Sequence, residues 1–216
     1  MQAFSKKMIE KKIIISPLFY FPPIEFYFHF INSEKTIFEK HEHFVKQSYR
    51  NRCIILGANG KLDLSIPIIH ESNEHIKMSE VKICHNQKWQ KLHWKSIESA
   101  YRSSPYFEFY EDEIRPLFEI KEEKLIDFNF CCFQILLKIT GLENQIAFSE
   151  SFIKSYDHTF VDLRSTLHPK KKSELVFSEY HQVFTHKFGF TNNLSVLDLL
   201  FNKGPETQDY LLSIET

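Results

Sequence analysis

Residues 12–32, KIIISPLFYFPPIEFYFHFIN, carry the strongest structural signal in the chain. The β-branched run Lys12–Ser16 stops at a proline, which is typical of a short buried strand. The segment Pro17–Pro23 cannot be helical throughout, because each proline moves the residue before it out of the α region. Pro23 suits the first position of a helix, and the residues after it have helical length. The stretch therefore predicts a strand, a proline-rich loop and a helix.

The segments that follow extend this beginning into an α/β fold. TIFEKHEHF (36–44) predicts a second strand, and a strand–helix–strand unit favours a parallel pair. RCIILGANGKLDLSIPII (52–69) predicts a β-hairpin with its turn at Asn59-Gly60. We expect the βαβ unit and the hairpin to form a small mixed sheet, followed by a mainly helical C-terminal half. One domain should span residues 1–216, with residues 1–11 poorly ordered.

Helical patterns dominate the rest of the chain. A helix should begin at the N-cap Asn86, another should close at Gly141, and a last one, capped by Asn193, should stop at Gly204-Pro205. Further helical stretches lie at 112–120 and 178–188. Three segments give weaker signals: 75–83 predicts a short strand, 147–167 is ambiguous between strand and loop, and HPKKKSEL (168–175) predicts a solvated linker.

Composition excludes several functional classes. A net charge of −1 argues against nucleic-acid binding, which needs a basic field. No apolar run is long enough to span a membrane and no signal-cleavage pattern follows the N-terminal lysines, so we expect a soluble cytoplasmic protein. The four cysteines form no CxxC pair, and His41 and His43 share a strand face without further ligands. We expect no metal and no cofactor, and leave the oligomeric state open.

His93 is the candidate catalytic residue. In WQKLHWKSIESAYRSSPYF (89–107) it falls on one helix face with a set of residues at three-and-four spacing: Trp89, Leu92, Ser96, Ile97, Ala100 and Tyr101. Taken alone, an inward histidine is more often a hydrogen-bonded core residue. The polar atoms on the same stripe favour a pocket wall instead, in which an imidazole could act as general acid or base.

Other polar residues are candidates for binding substrate. Asn51 and Arg52 precede the hairpin and could hold an anionic group, although an exposed charged strand end is the more common explanation for such residues. In the last helix three polar side chains share a face, for which capping and solvation are the alternatives. The full set of substrate-binding candidates is Asn51, Arg52, Trp89, Ser96, Tyr101, Tyr106, Ser195, Asp198 and Asn202.

Several of these stretches together resemble the WbqC-like protein family, most closely its short Bacteroidetes form. The resemblance covers about residues 12–212 and rests on SPLFYFPPIEFY, KQSYRNRCII, LDLSIPI, WQKLHWKSIESAYRSSPYFEFY and NLSVLDLLFNKGPET, in that order. Two positions depart from the family pattern: Ser16-Pro17 replaces a frequent Gln-Pro, and His43-Phe44 replaces Gln-Tyr. The resemblance implies a bacterial role connected with O-antigen and other surface-polysaccharide gene clusters.

Two functions remain open at this point. The first is a transferase acting on an activated sugar, such as a nucleotide sugar, or a related small anionic metabolite, by acyl or aminoacyl transfer. Its pocket should lie at the carboxyl end of the first strand, where α/β sheets usually bind ligands. The second is a non-enzymatic binding or scaffold module of an envelope pathway. A closed pocket would favour the enzyme, and a flat exposed aromatic patch would favour the module.

Overall fold

The computed structural model describes residues 12–69 and 75–216, so the prediction of poor order for residues 1–11 lies outside the described residues. Four parallel strands form one sheet in the order β5-β2-β1-β6, and two antiparallel strands form another. The strands are β1 Ile13–Ser16, β2 Lys35–Phe38, β3 Arg52–Gly57, β4 Gly60–Ser65, β5 Gln145–Phe148 and β6 Phe160–Asp162. The α/β fold class is confirmed.

Seven α-helices complete the described part of the chain, five of them after residue 100. They are α1 Ile24–Ile31, α2 Trp89–Tyr101, α3 Phe107–Ile114, α4 Leu125–Thr140, α5 Thr185–Phe188, α6 Val196–Lys203 and α7 Thr207–Ser213. Single turns of 3-10 helix lie at Met78–Glu80, Arg115–Phe118 and Gly204–Glu206. No helix among the described residues is both long and apolar enough to cross a membrane.

The parallel sheet begins with the predicted βαβ unit. Ile15 pairs with Ile37 in parallel register, and α1 makes the crossover between β1 and β2. The outer strands come from the ambiguous segment 147–167 and its neighbourhood: β5 pairs with β2, and β6 pairs with β1. The hairpin forms a sheet of its own and does not join the parallel strands, so the small mixed sheet expected from the βαβ unit and the hairpin is wrong in this detail. The sheet thus combines both halves of the chain.

Several local predictions need correction. β2 ends at Phe38, so His41 and His43 lie beyond the strand that was expected to carry them. Residues 75–83 form a 3-10 turn with isolated bridges where a strand was expected. The hairpin pairs Gly57 with Gly60, which places Ala58 and Asn59 at the turn, and the positive φ of 105° belongs to Gly60.

Two helix starts also differ from prediction. α2 begins at Trp89, three residues after the predicted N-cap Asn86. The cap of α6 is Ser195, whose hydroxyl accepts a hydrogen bond from the Leu197 amide, because Asn193 has a left-handed φ of 51° and uses its side chain elsewhere. The predicted ends hold: Gly141 closes α4 with a φ of 66°, and α6 stops at Lys203 before Gly204.

The proline-rich loop is fully buried, so its backbone needs partners inside the core. The Asn129 side chain on α4 donates to the Leu18 carbonyl at 2.9 Å and to the Arg50 carbonyl at 2.7 Å. The Ser195 hydroxyl donates to the Phe21 carbonyl at 2.9 Å. Phe21 itself holds a φ of 39°, a strained value that the surrounding contacts maintain. Side chains from distant helices therefore fix this loop.

Gly204 lies where a side chain could not fit. A Cβ at this position would come within 2.5 Å of the Tyr106 ring. The backbone also has a φ of 53° and a ψ of −120°, which non-glycine residues rarely adopt. The Tyr106 amide in turn donates to the Phe201 carbonyl at 3.0 Å, so the ring and α6 are held together.

We expect Gly204→Ala to lower the free energy of unfolding by about 3 kcal/mol or more, because backbone strain and overpacking each cost about 1–3 kcal/mol. Gly141→Ala is the matched control, since Gly141 has a φ of 66° but nothing within 4 Å of its Cβ position. Denaturant unfolding of both variants measures the difference. An equal loss in the two variants would contradict the role given to the Tyr106 contact.

Candidate functional site

His93 lies in the core, as its position in the helix predicts. Its Nδ1 lies 3.0 Å from the Tyr20 hydroxyl, and its ring packs 5.1 Å from the Trp89 ring. Burial lowers the pKa of His93 to about 4, and a backbone hydrogen bond with Ser65 offsets this only in part. These contacts are those of a hydrogen-bonded core histidine. Its catalytic role stays a prediction.

The remaining α2 candidates divide between core and surface. Trp89 and Tyr101 are buried, whereas Leu92 is 64% exposed, so its predicted place on the inward face is wrong. The Ser96 hydroxyl donates to the Leu92 carbonyl at 2.9 Å on a partly exposed part of the helix. The stripe that was expected to form a pocket wall thus consists mainly of packed side chains.

Asp198 is the centre of a buried polar cluster. Its carboxylate accepts hydrogen bonds from the Tyr180 hydroxyl at 2.6 Å and from the Gln182 amide at 2.7 Å. The Tyr101 hydroxyl also lowers the pKa of Asp198, although it makes no hydrogen bond of ordinary geometry. Burial outweighs these contacts and raises the pKa of Asp198 to about 6. The side-chain amide of Asn202 donates to the Asp198 carbonyl, so this face of α6 is internal.

The other candidates have structural partners as well. The Asn51 side chain donates to the Ile66 carbonyl at 2.9 Å, and Arg52 forms a 2.7 Å ion pair with Asp63 across the hairpin. Tyr106 covers Gly204, and Ser195 holds the buried loop. Arg52 and His93 therefore contact different parts of the protein. The roles of these candidates in substrate binding stay predictions.

Two adjacent cavities have none of these candidate residues in their lining. The larger, of about 570 Å³, lies between α1, β6 and residues 171–175, and we call it the acidic chamber. The smaller, of about 420 Å³, lies between the hairpin, residues 169–173 and residues 192–194, and we call it the lysine chamber. They share Lys171 and Lys172 as lining residues. Both volumes fall within the range of about 300–1,000 Å³ typical of small-molecule sites.

The acidic chamber lies along β6, the edge strand next to β1 in the parallel sheet. It is lined by the whole of β6 and by Leu163, whose amide donates to the Ile15 carbonyl of β1 at 2.8 Å. In the sheet, β1 lies between β2 and β6. The chain passes from β1 through α1 to β2 on one side, while β6 lies on the opposite side of β1, so the strand order changes direction between β1 and β6. Such a switch point is the usual ligand position in open α/β sheets. β6 and the residues after it line the cavity, whereas β1 does not, so a pocket at the carboxyl end of β1 stays a prediction.

Glu25, in the first turn of α1, lies between the two chambers. The Asn193 side chain accepts from the Glu25 amide at 3.0 Å and donates to the Glu25 carboxylate at 2.7 Å. Burial raises the pKa of Glu25; Ser173 and Asn193 lower it through hydrogen bonds, and Glu174 adds a raising effect. The result is a half-buried, oriented carboxyl group beside a cavity, the situation of many acid–base groups.

The lysine chamber concentrates positive charge. Lys61, Lys170, Lys171 and Lys172 line it, and its lining includes no carboxylate. Lys170 donates to the Gln47 side chain and Lys171 to the Ser165 carbonyl, which leaves each ammonium further donors. Within the described parts of the chain, the side-chain ammonium groups of Lys61 and Lys172 make no hydrogen bond or ion pair. This positive charge also affects the neighbouring His168. Burial is the main cause that lowers the pKa of His168, and the charges of Lys170, Arg50 and Lys171 lower it further.

Sequence reasoning missed this site for an identifiable reason. HPKKKSEL was interpreted as a solvated linker, and its lysines are indeed exposed. Their arrangement around a cavity depends on Lys61 from the hairpin and on Asn193, which are far away in sequence. Glu25 did carry one signal, because it follows two prolines within a stretch that resembles the family.

The fold and the chambers together define an α/β protein with a candidate small-molecule site beside its parallel sheet. A family model described as the WbqC-like protein family matches residues 19–171, and the chain belongs to this family. The matched range includes Glu25, Lys61 and Lys170 but ends before Asn193. A Mycobacterium tuberculosis protein named "Uncharacterized protein Rv1507c" is 25% identical over 78% of this chain and 83% of its own length. No solved structure gave a significant match.

We expect acid to destabilise the protein through His93. In the unfolded chain His93 has its ordinary pKa of 6.5 and is protonated below that pH, whereas in the folded protein it stays neutral down to about pH 4. The unfolded state therefore binds one more proton between these pH values, and the free energy of unfolding falls as the pH is lowered from 6.5 to 4. The shift corresponds to about 3 kcal/mol, which His93→Gln should remove from the pH dependence. Unfolding free energies from pH 7 to pH 4 measure it. His29, whose pKa burial also lowers to about 4, provides the comparison variant His29→Gln. An unchanged pH dependence in His93→Gln would contradict the buried neutral state.

Proposed function

We propose that the protein is a transferase-type enzyme that acts on a small anionic metabolite, with the lysine chamber holding the anionic group. The observation that carries this proposal is a cavity lined by four lysines and no carboxylate. Four ammonium groups around one concave space repel one another, and an anion would relieve this repulsion. Lysine is a common phosphate-binding residue that acts as a point charge. A phosphate group is therefore the preferred occupant.

Glu25 is the proposed general base of this enzyme. In the transfer of an acyl or aminoacyl group, a hydroxyl or amine loses its proton as it attacks the donor carbonyl, the bond from that carbonyl to the donor's leaving group breaks, and the leaving group takes up the proton. The hydrogen bond from the Asn193 side chain orients the Glu25 carboxylate, and Glu25 is one of the residues that line the acidic chamber. A raised pKa makes the carboxylate a stronger base than an ordinary glutamate. Glu25 thus combines an oriented carboxylate with access to a cavity.

The resemblance supports an activated sugar as the metabolite. WbqC-like proteins are associated with surface-polysaccharide gene clusters, and a nucleotide-activated sugar carries the phosphates that a lysine cavity favours. Polysaccharide biosynthesis in the cytoplasm of a bacterial cell is the process that this substrate implies.

The alternative, a binding or scaffold module, lacks the surface it requires in the aromatic N-terminal stretch. Phe19, Tyr20, Phe21, Phe26 and Tyr27 are each 1% exposed or less. These rings pack within the core, whereas Phe109 of the second aromatic stretch (residues 104–110) is 75% exposed, so that stretch presents a ring at the surface and the N-terminal stretch does not. The two concave chambers favour a small ligand over a broad protein surface.

Pyrophosphate should bind to the lysine chamber. We expect the double variant Lys61→Ala/Lys172→Ala to weaken this binding by about tenfold or more, because each lost ammonium removes a charge-assisted contact worth roughly 1.5–3 kcal/mol at most. Isothermal titration at low salt measures the affinity. Lys138→Ala is the control, since Lys138 lies on α4 in an ion pair with Glu113, outside both chambers.

Two results would overturn the proposal. One is the absence of pyrophosphate binding to the wild-type protein at low salt. The other is an equal loss of affinity in Lys138→Ala, which would show a general charge effect with no dedicated cavity.

A further inference from the structure

We infer that the two chambers hold the two ends of one ligand, a hydroxyl-rich phosphate ester whose phosphate lies among the lysines and whose hydroxyl-bearing part fills the acidic chamber. This inference rests on the proposed function, because it assumes that the lysine chamber binds phosphate. It adds the chemistry and the position of the rest of the ligand.

The charge of the lining changes sign between the chambers. The acidic chamber has three carboxylate residues, Glu25, Asp162 and Glu174, in addition to the shared Lys171 and Lys172. The lysine chamber has cationic side chains alone among its ionised residues. A second phosphate in the acidic chamber would face these carboxylates and be repelled. The anionic end of a ligand therefore belongs to one chamber only.

Hydroxyl groups fit the acidic chamber. Carboxylates accept hydrogen bonds and cannot donate them, so their best uncharged partners are O–H donors. Asp162 already accepts hydrogen bonds from Nε and Nη2 of Arg164, which makes Glu25 and Glu174 the better placed acceptors. His29 adds no positive charge at neutral pH, because burial lowers its pKa to about 4.

The chamber also has an apolar wall. Val161 and Leu163 of the β6 region and Leu175 on the opposite side line it, with Phe160 at one end. Carboxylate oxygens next to aliphatic and aromatic surface match a ligand that carries both hydroxyls and C–H faces. A sugar ring or another polyol has this character, whereas a purely apolar chain would leave the carboxylates without donors.

The shared lysines set the relative position of the two ends. Lys171 and Lys172 line both chambers, and Glu25 lies at the same boundary through its contact with Asn193. A phosphate near these lysines would place the first atoms of its ester group beside the Glu25 carboxylate. The polyol hydroxyl nearest the ester linkage would then be the group whose proton the Glu25 carboxylate can accept.

Glucose 1-phosphate tests this arrangement against inorganic phosphate. We expect wild-type protein to bind the ester at least about tenfold more tightly than inorganic phosphate, since the ester alone contacts both chambers. Thr166→Trp should fill the acidic chamber from an exposed lining position, abolish this advantage and leave inorganic phosphate binding within about twofold. Ser103→Trp, at an exposed position outside both chambers, is the control and should change neither affinity.

A second variant tests the chemistry of the chamber without changing its volume. Glu174→Gln replaces a carboxylate by an isosteric amide on an exposed residue, and we expect it to reduce the advantage of the ester while inorganic phosphate binds as before. The inference is overturned if glucose 1-phosphate binds no more tightly than inorganic phosphate, or if its advantage survives Thr166→Trp. Failure of wild-type protein to bind either pyrophosphate or inorganic phosphate would instead overturn the proposed function.

Discussion

A buried irregular loop sets the constraint on which this structure depends. Residues Leu18–Pro23 lie in the core without forming a helix or a strand, so secondary structure does not satisfy their backbone groups. Asn129 reaches this loop from α4, and Ser195 reaches it from the start of α6. The Tyr20 amide donates to the Tyr49 carbonyl at 2.9 Å. An unpaired buried carbonyl would cost about 1–3 kcal/mol, so these contacts fix the helices relative to β1.

The contacts between the buried loop and the start of α6 also determine the position of the candidate site. Pro23 and Ser195 form an isolated bridge, and the Ile24 amide donates to the Leu194 carbonyl at 3.0 Å. This pairing places Asn193 beside Glu25, so the contact that orients the carboxylate continues the one that closes the core. Residues 169–173 then cover the junction and bring their lysines to it. The need of the buried loop for hydrogen-bond partners thereby determines where Glu25, Asn193 and the lysines of residues 169–173 lie.

Local signals predicted the fold better than the site. The strand, loop and helix of residues 12–32 and the glycine stops at Gly141 and Gly204 depend on neighbouring residues, and sequence reasoning identified them. β5 and β6 are only four and three residues long, so periodicity could not separate them from loop. The lysine chamber depends on contacts between distant segments. Helical spacing likewise placed His93 inward without showing that Tyr20 would be its partner.

Anomalous diffraction from a crystal soaked in tungstate, a heavy tetrahedral analogue of phosphate, tests the central claim most directly. The account predicts a peak within hydrogen-bonding distance of the Lys61 and Lys172 ammonium groups, near the boundary marked by Glu25 and Asn193. The peak should be displaced by pyrophosphate. A chamber without a peak, or a displaceable peak beside Arg52 instead, would contradict the assignment of the lysine chamber as the anion site.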